Sequence, residues 1–199
     1  MKKIISKILF GFSGRSKNIY VEKTSVRKKI GELKKQILVV QKQQEANVVF
    51  DKIETLPEFK IAKNILLYWS TPNELPTHEI VEKWSAQKQI ILPTVVGDNL
   101  ILKSYSSKEK MKKGSLGIWE PDSSENYTED IDLVLVPGMA FDIQKNRLGR
   151  GKGFYDRFLK SNHSIKIGVG FDFQLLPKIP SEKSDIRMDK IITASHIIE

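Results

Sequence analysis

Residues 131–137 read Ile131-Asp-Leu-Val-Leu-Val-Pro137, a nearly continuous apolar run that is short enough for one strand. A strand that is apolar on both faces belongs inside a sheet, and such runs typify parallel sheets covered by helices. Ten residues later comes a second stretch, Arg147-Leu-Gly-Arg-Gly-Lys-Gly-Phe-Tyr-Asp-Arg157, in which three glycines alternate with two cations. Residues 154–160 behind it read as a helix.

The rest of the chain repeats this order. Apolar runs at 64–70, 89–96, 100–105, 165–171 and 190–193 read as strands, with Gly97-Asp98-Asn99 as a turn between the second and third. Val26, Ile30, Leu33, Ile37 and Val40 recur at helical spacing, predicting a helix from Lys23 to about Phe50 that Thr24 or Ser25 caps. Asn47 is read as a break before a short helix through Ile53. Thr77 is expected to cap a helix carrying Ile80, Val81 and Trp84, after a loop marked by Pro72 and Pro76. Residues 108–129 are polar and irregular. Strands alternating with helices predict a three-layer α/β domain, Rossmann-like, whose central sheet is mainly parallel and flanked by helices.

Composition bounds the function. At 199 residues with 40% hydrophobic and 29% charged residues, the chain has the makeup of one globular domain. No cysteine is present, which excludes disulfides, thiolate nucleophiles and Cys-ligated zinc and fits a reducing cytoplasm. The net charge of +9 is concentrated between Met1 and Lys42, where the only acids are Glu22 and Glu32. Regional charge of that kind is weak support for nucleic-acid binding, and no known reader motif accompanies it. Lys28, Lys29, Lys34 and Lys35 read as surface charges. The start, MKKIISKILF, is interrupted by Lys7 and lacks an A-x-A-like site, so residues 1–22 are expected to form a basic extension rather than a signal peptide. No run of about 18 apolar residues occurs, so no membrane span is expected.

The glycine loop suits an anion. Alternating glycines let a backbone turn tightly and expose successive N–H groups, and Arg147, Arg150 and Lys152 add positive charge. Asp156 is the acid among them, placed to hold Mg²⁺ against phosphate oxygens. The spacing matches neither the Walker A loop nor the dinucleotide fingerprint. On these residues alone a nucleoside triphosphate, a nucleic-acid backbone and a plain basic turn all remain open.

Wider context narrows the choice. Val136-Pro-Gly-Met-Ala-Phe-Asp142 followed by Asn146-Arg-Leu-Gly-Arg-Gly-Lys-Gly-Phe-Tyr-Asp156 resembles the signature of the 5-formyltetrahydrofolate cyclo-ligases, also called 5,10-methenyltetrahydrofolate synthetases. Lys23-Thr-Ser-Val-Arg27, Tyr68-Trp-Ser-Thr-Pro-Asn-Glu74, Gly117-Ile-Trp-Glu-Pro121 and Asp185-x-x-x-Asp189 are similar to further elements of that family, in the same order. The likeness covers residues 23 to about 195, as one domain within 23–199. Phe154 stands where Tyr is usual, and Ser184 where His is common.

The resemblance implies an ATP-dependent cyclisation of 5-formyltetrahydrofolate to 5,10-methenyltetrahydrofolate, releasing ADP and phosphate through phosphorylation of the formyl oxygen. It implies Mg²⁺ as cofactor, ATP as co-substrate, a monomer, and no nucleic-acid or membrane partner. For catalysis it points to Arg150 and Lys152. For ATP it points to Lys23, Thr24, Ser25, Val26 and Arg27, and to Arg147, Leu148, Gly149, Arg150, Gly151, Lys152, Gly153, Phe154 and Tyr155. For the folate it points to Trp69, Glu74 and the span Arg150, Gly151, Lys152, Gly153 and Phe154. For metal it points to Asp156 and, second, Asp189. Asp142 is expected to orient the loop. Two alternatives are a family member that binds folate without turning it over and a basic nucleic-acid-binding protein.

Overall fold

The computed structural model describes residues 19–114 and 116–199. Most of the expected basic extension, residues 1–18, lies outside them. A seven-stranded sheet carries the domain. Its strands are β1 (Asn64–Leu66), β2 (Gln89–Val96), β3 (Asn99–Ser104), β6 (Leu133–Pro137), β9 (Ile165–Val169), β11 (Lys190–Ile192) and β12 (Ile197–Ile198). The order is β12-β11-β9-β6-β1-β2-β3, with β11, β9, β6, β1 and β2 parallel and an antiparallel strand at each edge. This is the mainly parallel α/β sheet that the alternation of patterns predicts.

Strand periodicity divides the core into two faces. Ile65, Leu67, Ile90, Leu92, Leu133 and Leu135 pack with Phe50, Ile53, Phe59 and Trp84 from the helices α2 (Val39–Thr55), α3 (Pro57–Ile61) and α4 (His78–Ser85). Their neighbours Leu66, Ile91, Val134 and Val136 point the other way, against Phe141 and against Leu159 of α5 (Phe154–Lys160). Three layers result. A third cluster joins α1 (Ile19–Gln36) to a small sheet of β10 (Leu175–Leu176), β7 (Ala140–Asp142) and β8 (Arg147–Leu148), through Val26, Ile30, Ala140, Leu148 and Leu176.

Several boundaries differ from expectation. Helix α1 begins at Ile19, so neither Thr24 nor Ser25 caps it; the Thr24 hydroxyl instead donates 2.9 Å back to the Tyr20 carbonyl, as mid-helix Thr does. The break falls at Ile37–Leu38 rather than at Asn47. There the Leu38 amide, freed at the new helix start, donates 3.3 Å to the Gln41 side chain. Asn47 continues α2, with its side chain accepting from Gln43 at 3.0 Å. Strand β1 stops at Leu66, although residues 67–70 stay buried and the Leu67 amide still reaches the Ile91 carbonyl at 3.0 Å. The irregular span 108–129 holds a hairpin of β4 (Met111–Lys113) and β5 (Trp119–Pro121).

Topology then fixes where a ligand belongs. From β1 the chain moves to β2 on one side and later to β6 on the other, so the order reverses between β1 and β6. Open parallel sheets bind ligands in the crevice beyond the carboxyl ends of the strands at such a reversal.

Candidate active site

A cavity of about 420 Å³ opens at that reversal, within the range of small-molecule sites. After β1 the wall carries Tyr68, Trp69, Thr71 and Glu74; after β6 it carries Pro137 and Gly138; the glycine loop and the start of α5 close one side, and the β4–β5 hairpin another.

The post-β1 wall is latched in place. Thr77 stands at the start of α4, but its side chain does not cap that helix. Its hydroxyl donates 2.6 Å to the Tyr68 carbonyl and accepts from the Ser70 amide at 3.0 Å, while the Ser70 hydroxyl accepts from the Thr77 amide at 3.0 Å. Trp69, held between these bonds, stacks on His78 at 4.2 Å. Trp119 is 45% exposed and lines the cavity.

The floor of the glycine loop is set by Asp142, which is wholly buried. Its carboxylate accepts from the amides of Gln144, Asn146 and Ile179 and from the Asn146 side chain, all within 2.9–3.1 Å. Five hydrogen bonds to one carboxylate make it an orienting group, as expected, and its side chain is fully used. Arg147 follows, buried, with its guanidinium paired to Asp156 at 2.8 Å and donating 3.3 Å to the Pro137 carbonyl. Beyond Leu148 the loop turns outward. Gly151 and Gly153 have φ of +103° and +69°, left-handed values that glycine adopts without strain. An added Cβ at Gly151 would also lie 3.4 Å from the Arg27 guanidinium.

Arg150 joins the two walls. One guanidinium nitrogen lies 2.8 Å from the Thr71 hydroxyl and 2.8 Å from Glu74 Oε1, while Glu74 Oε2 accepts from the Thr71 amide and hydroxyl at 2.9 Å each. Lys152 extends over the Phe154 ring at 5.9 Å and also lines the cavity. The Tyr155 hydroxyl and Arg147 Nε are buried there without a hydrogen-bond partner. An orphaned buried donor costs about 1–3 kcal/mol, so both atoms are local liabilities behind the cavity wall. Burial, with the charge of Glu74, raises the Tyr155 phenol well above its ordinary value, so it stays protonated.

Helix α1 brings its cations from behind. Arg27 Nε donates 2.9 Å to the Gly149 carbonyl. Lys23 reaches neither the cavity nor the loop; its ammonium sits 2.7 Å from both Glu182 and Asp185. Burial pulls its pKa down, but the hydrogen bonds to Asp185 and Glu182 more than offset that, and it is raised. Ser25 is exposed and Val26 belongs to the third core cluster, so neither Ser25 nor Thr24 nor Val26 lines the cavity. Asp189 is brought elsewhere as well. It accepts from the Lys166 amide at 2.7 Å and pairs with the Lys166 ammonium at 3.0 Å, at the amino ends of β9 and β11, the opposite edge of the sheet. Of the two candidate metal ligands only Asp156 faces the cavity.

Three residues that sequence reasoning did not single out help to hold the site. Asn146 completes the Asp142 network, and Gln174 Nε2 donates to the carbonyls of Gly138 at 2.7 Å and Met139 at 3.0 Å. Lys34, expected on the surface, is only 3% exposed and donates 3.3 Å to the Gly138 carbonyl. A signal existed for Lys34. Lys23, Arg27, Ile30 and Lys34 fall at i, i+4, i+7 and i+11, one helix face.

A model of the 5-formyltetrahydrofolate cyclo-ligase family matches residues 19–194. The chain belongs to that family. It is 30% identical over 181 residues to the 5-formyltetrahydrofolate cyclo-ligase of Haemophilus influenzae, covering 86% of this chain and 97% of the relative. The Escherichia coli K12 cyclo-ligase is 30% identical over 80% of this chain and 93% of its own. An NMR structure of Aquifex aeolicus 5,10-methenyltetrahydrofolate synthetase superposes with a TM-score of 0.81 at 33% identity, covering 88% of this chain and 91% of that one. The match begins at Ile19, where α1 begins, rather than at Lys23. No helix among the described residues is long and apolar enough to cross a membrane.

Proposed function

We propose that the protein converts 5-formyltetrahydrofolate to 5,10-methenyltetrahydrofolate at the cost of one ATP, releasing ADP and phosphate. Membership of the cyclo-ligase family supports the substrate and product. The observation that carries the reading is the contact of Arg150 with Glu74 and Thr71, which joins an anion-suited loop to a carboxylate-bearing wall inside one cavity. A reaction that moves a phosphoryl group onto the formyl oxygen of a folate needs the two reacting atoms held about 3–3.5 Å apart, so the surfaces that bind them must face one cavity.

In this reading Glu74 accepts hydrogen bonds from the amino-pyrimidinone edge of the pterin, while Trp69, Trp119 and Phe154 supply flat apolar surface. The span Arg147 to Tyr155 wraps the triphosphate, with Arg27 and Lys23 behind it. Lys23 would exchange its acidic partners Glu182 and Asp185 for phosphate oxygens. The formyl oxygen attacks the γ-phosphorus, the bond from that phosphorus to its bridging oxygen breaks, and ADP leaves with the electron pair. The N5-formyl group becomes an iminium phosphate. N10 then adds to the formyl carbon and loses its proton, and the carbon–oxygen bond breaks to release phosphate. Arg150 and Lys152 neutralise charge on the transferred group, the main contribution a protein makes to such a step.

Mg²⁺ fits this donor set as an ion carried by the nucleotide. Among the described residues no group of three His, Cys, Asp or Glu could cage a metal alone. Mg²⁺ needs only one or two carboxylates beside phosphate oxygens, and Asp156, which lines the cavity with one oxygen paired to Arg147, is the carboxylate proposed for it. When bound it would spread the negative charge of the phosphates.

The test is direct. Purified protein with MgATP and 5-formyltetrahydrofolate gains the absorbance of the methenyl product, with one ADP formed per product. Absence of turnover, together with tight binding of RNA or DNA, would sink this reading.

A further inference from the structure

Two cations lie over the Phe154 ring, and they differ in what else holds them. The Lys152 ammonium stands 5.9 Å from the ring centre and the Arg157 guanidinium 5.4 Å. Lys152 lines the cavity, and in the proposed reaction it turns to the transferred phosphate. Arg157 is anchored elsewhere. Its Nε donates 3.0 Å to the Asp98 carbonyl, and a second guanidinium nitrogen donates to the same oxygen.

Asp98 sits in the turn between β2 and β3, strands whose residues Val95 and Leu100 line the cavity. Gly153 leaves room for the guanidinium to cross. A Cβ added there would lie 2.8 Å from an Arg157 nitrogen, and the backbone has a left-handed φ of +69°. One side chain therefore ties the hairpin wall to the start of α5 and to the aromatic surface beside the glycine loop. Phenylalanine has no hydroxyl through which its ring could be anchored, so packing and cation–π attraction must orient it.

We propose that Arg157 is a positioning residue. Fixed to the β2–β3 turn, it keeps the Phe154 ring against the bound folate while Lys152 leaves the ring for the phosphate. A planar guanidinium suits this task, because it stacks on a ring and donates two hydrogen bonds at once, where an ammonium offers a point charge. The inference rests on the proposed function, in which Phe154 forms part of the folate wall. Arg157 itself is exposed, so its loss orphans no buried group and should leave the fold intact.

The experiment is a double-mutant cycle on steady-state turnover, with wild type, Arg157→Met, Phe154→Leu and both changes together. Methionine keeps an unbranched stem and removes the charge and the donors. Arg157→Met is expected to raise KM for 5-formyltetrahydrofolate about fivefold, the scale of one lost cation–π contact. Its kcat and its KM for ATP should stay within about twofold of wild type, the signature of lost folate binding rather than lost chemistry. In the Phe154→Leu background the same change should cost nothing further, because the ring through which Arg157 acts is gone. Arg157→Lys should recover part of the affinity, since it keeps a cation by the ring without the double anchor. An unchanged folate KM in either single variant overturns the proposal. So do additive losses, the full factor in both backgrounds, which would mean that Arg157 holds the hairpin and not the ring. A wild type that turns over no 5-formyltetrahydrofolate removes the proposed function first, and this proposal with it.

Discussion

The loop between β7 and α5 has two halves built in opposite ways. From Asp142 to Leu148 every residue but Ile143, Gln144 and Lys145 is buried, and Asp142 alone collects five hydrogen bonds. From Gly149 to Gly153 the chain is half-exposed or exposed, two glycines take left-handed backbone, and the contacts come through side chains of Arg27 and Arg150. The first half is a fixed mount. The second is a strip of amides and cations that a ligand can draw around itself. Substitutions in the mount should cost stability and activity together, and substitutions in the strip, its two left-handed glycines aside, should cost activity alone.

Lys152→Ala gives the largest expected effect. Turnover should fall by about 100- to 1000-fold, the scale of one lost transition-state contact. The melting temperature should not move, because the lysine is exposed and its ammonium lies over the Phe154 ring. A fully active variant would remove it from the mechanism. Asp142→Ala should lose about 3 kcal/mol in urea unfolding, since several buried amides are orphaned at once. Its turnover should fall as well, and unchanged stability would break the distinction between mount and strip.

Lys34→Met sharpens the contrast from behind the mount. The folded-state pKa of about 8 lies below the ordinary 10.5, so the unfolded chain binds more protons between those values. Wild-type stability should therefore rise with pH from about 8 to 10.5, and below that window the buried charge costs up to about 3 kcal/mol. The methionine variant should be more stable at pH 7 and lack that rise. Lower stability at pH 7 would show that the amine is better satisfied than its long hydrogen bond to Gly138 indicates. Gly151→Ala should cost about 1 kcal/mol from its backbone conformation alone and raise KM for ATP, with little change in folate affinity. The smallest effect belongs to residues 1–18, which precede the family match. Their removal should leave turnover unchanged, and a dead truncation would mean that they complete the ATP site.

Much of this was legible in the sequence. The apolar run at Ile131–Pro137 and its neighbours mark the buried parallel strands, because burial on both faces leaves a continuous apolar signature. The glycine loop, Glu74 and Arg150 were readable as an anion strip and a carboxylate wall. What escaped had physical causes. Strands β7, β8 and β10 are two or three residues long, too short to show a period. The break at Ile37–Leu38 carries no glycine or proline, and the Leu38 amide is taken up there by the Gln41 side chain. Lys34 sits among Lys28, Lys29 and Lys35, so its inward register was masked by its neighbours. Asp189 has the right residue type in the right order, yet strand direction carries it to the far edge of the sheet. Lys23, likewise, is close in sequence to Arg27 but is held by acids rather than by the loop.

The central claim is that phosphate is transferred to the formyl oxygen of the folate. It is tested most directly by turnover of 5-formyltetrahydrofolate labelled with ¹⁸O in the formyl group, followed by mass analysis of the released inorganic phosphate. The account predicts that each phosphate carries the formyl ¹⁸O. Unlabelled phosphate, with the label released as water, would contradict it.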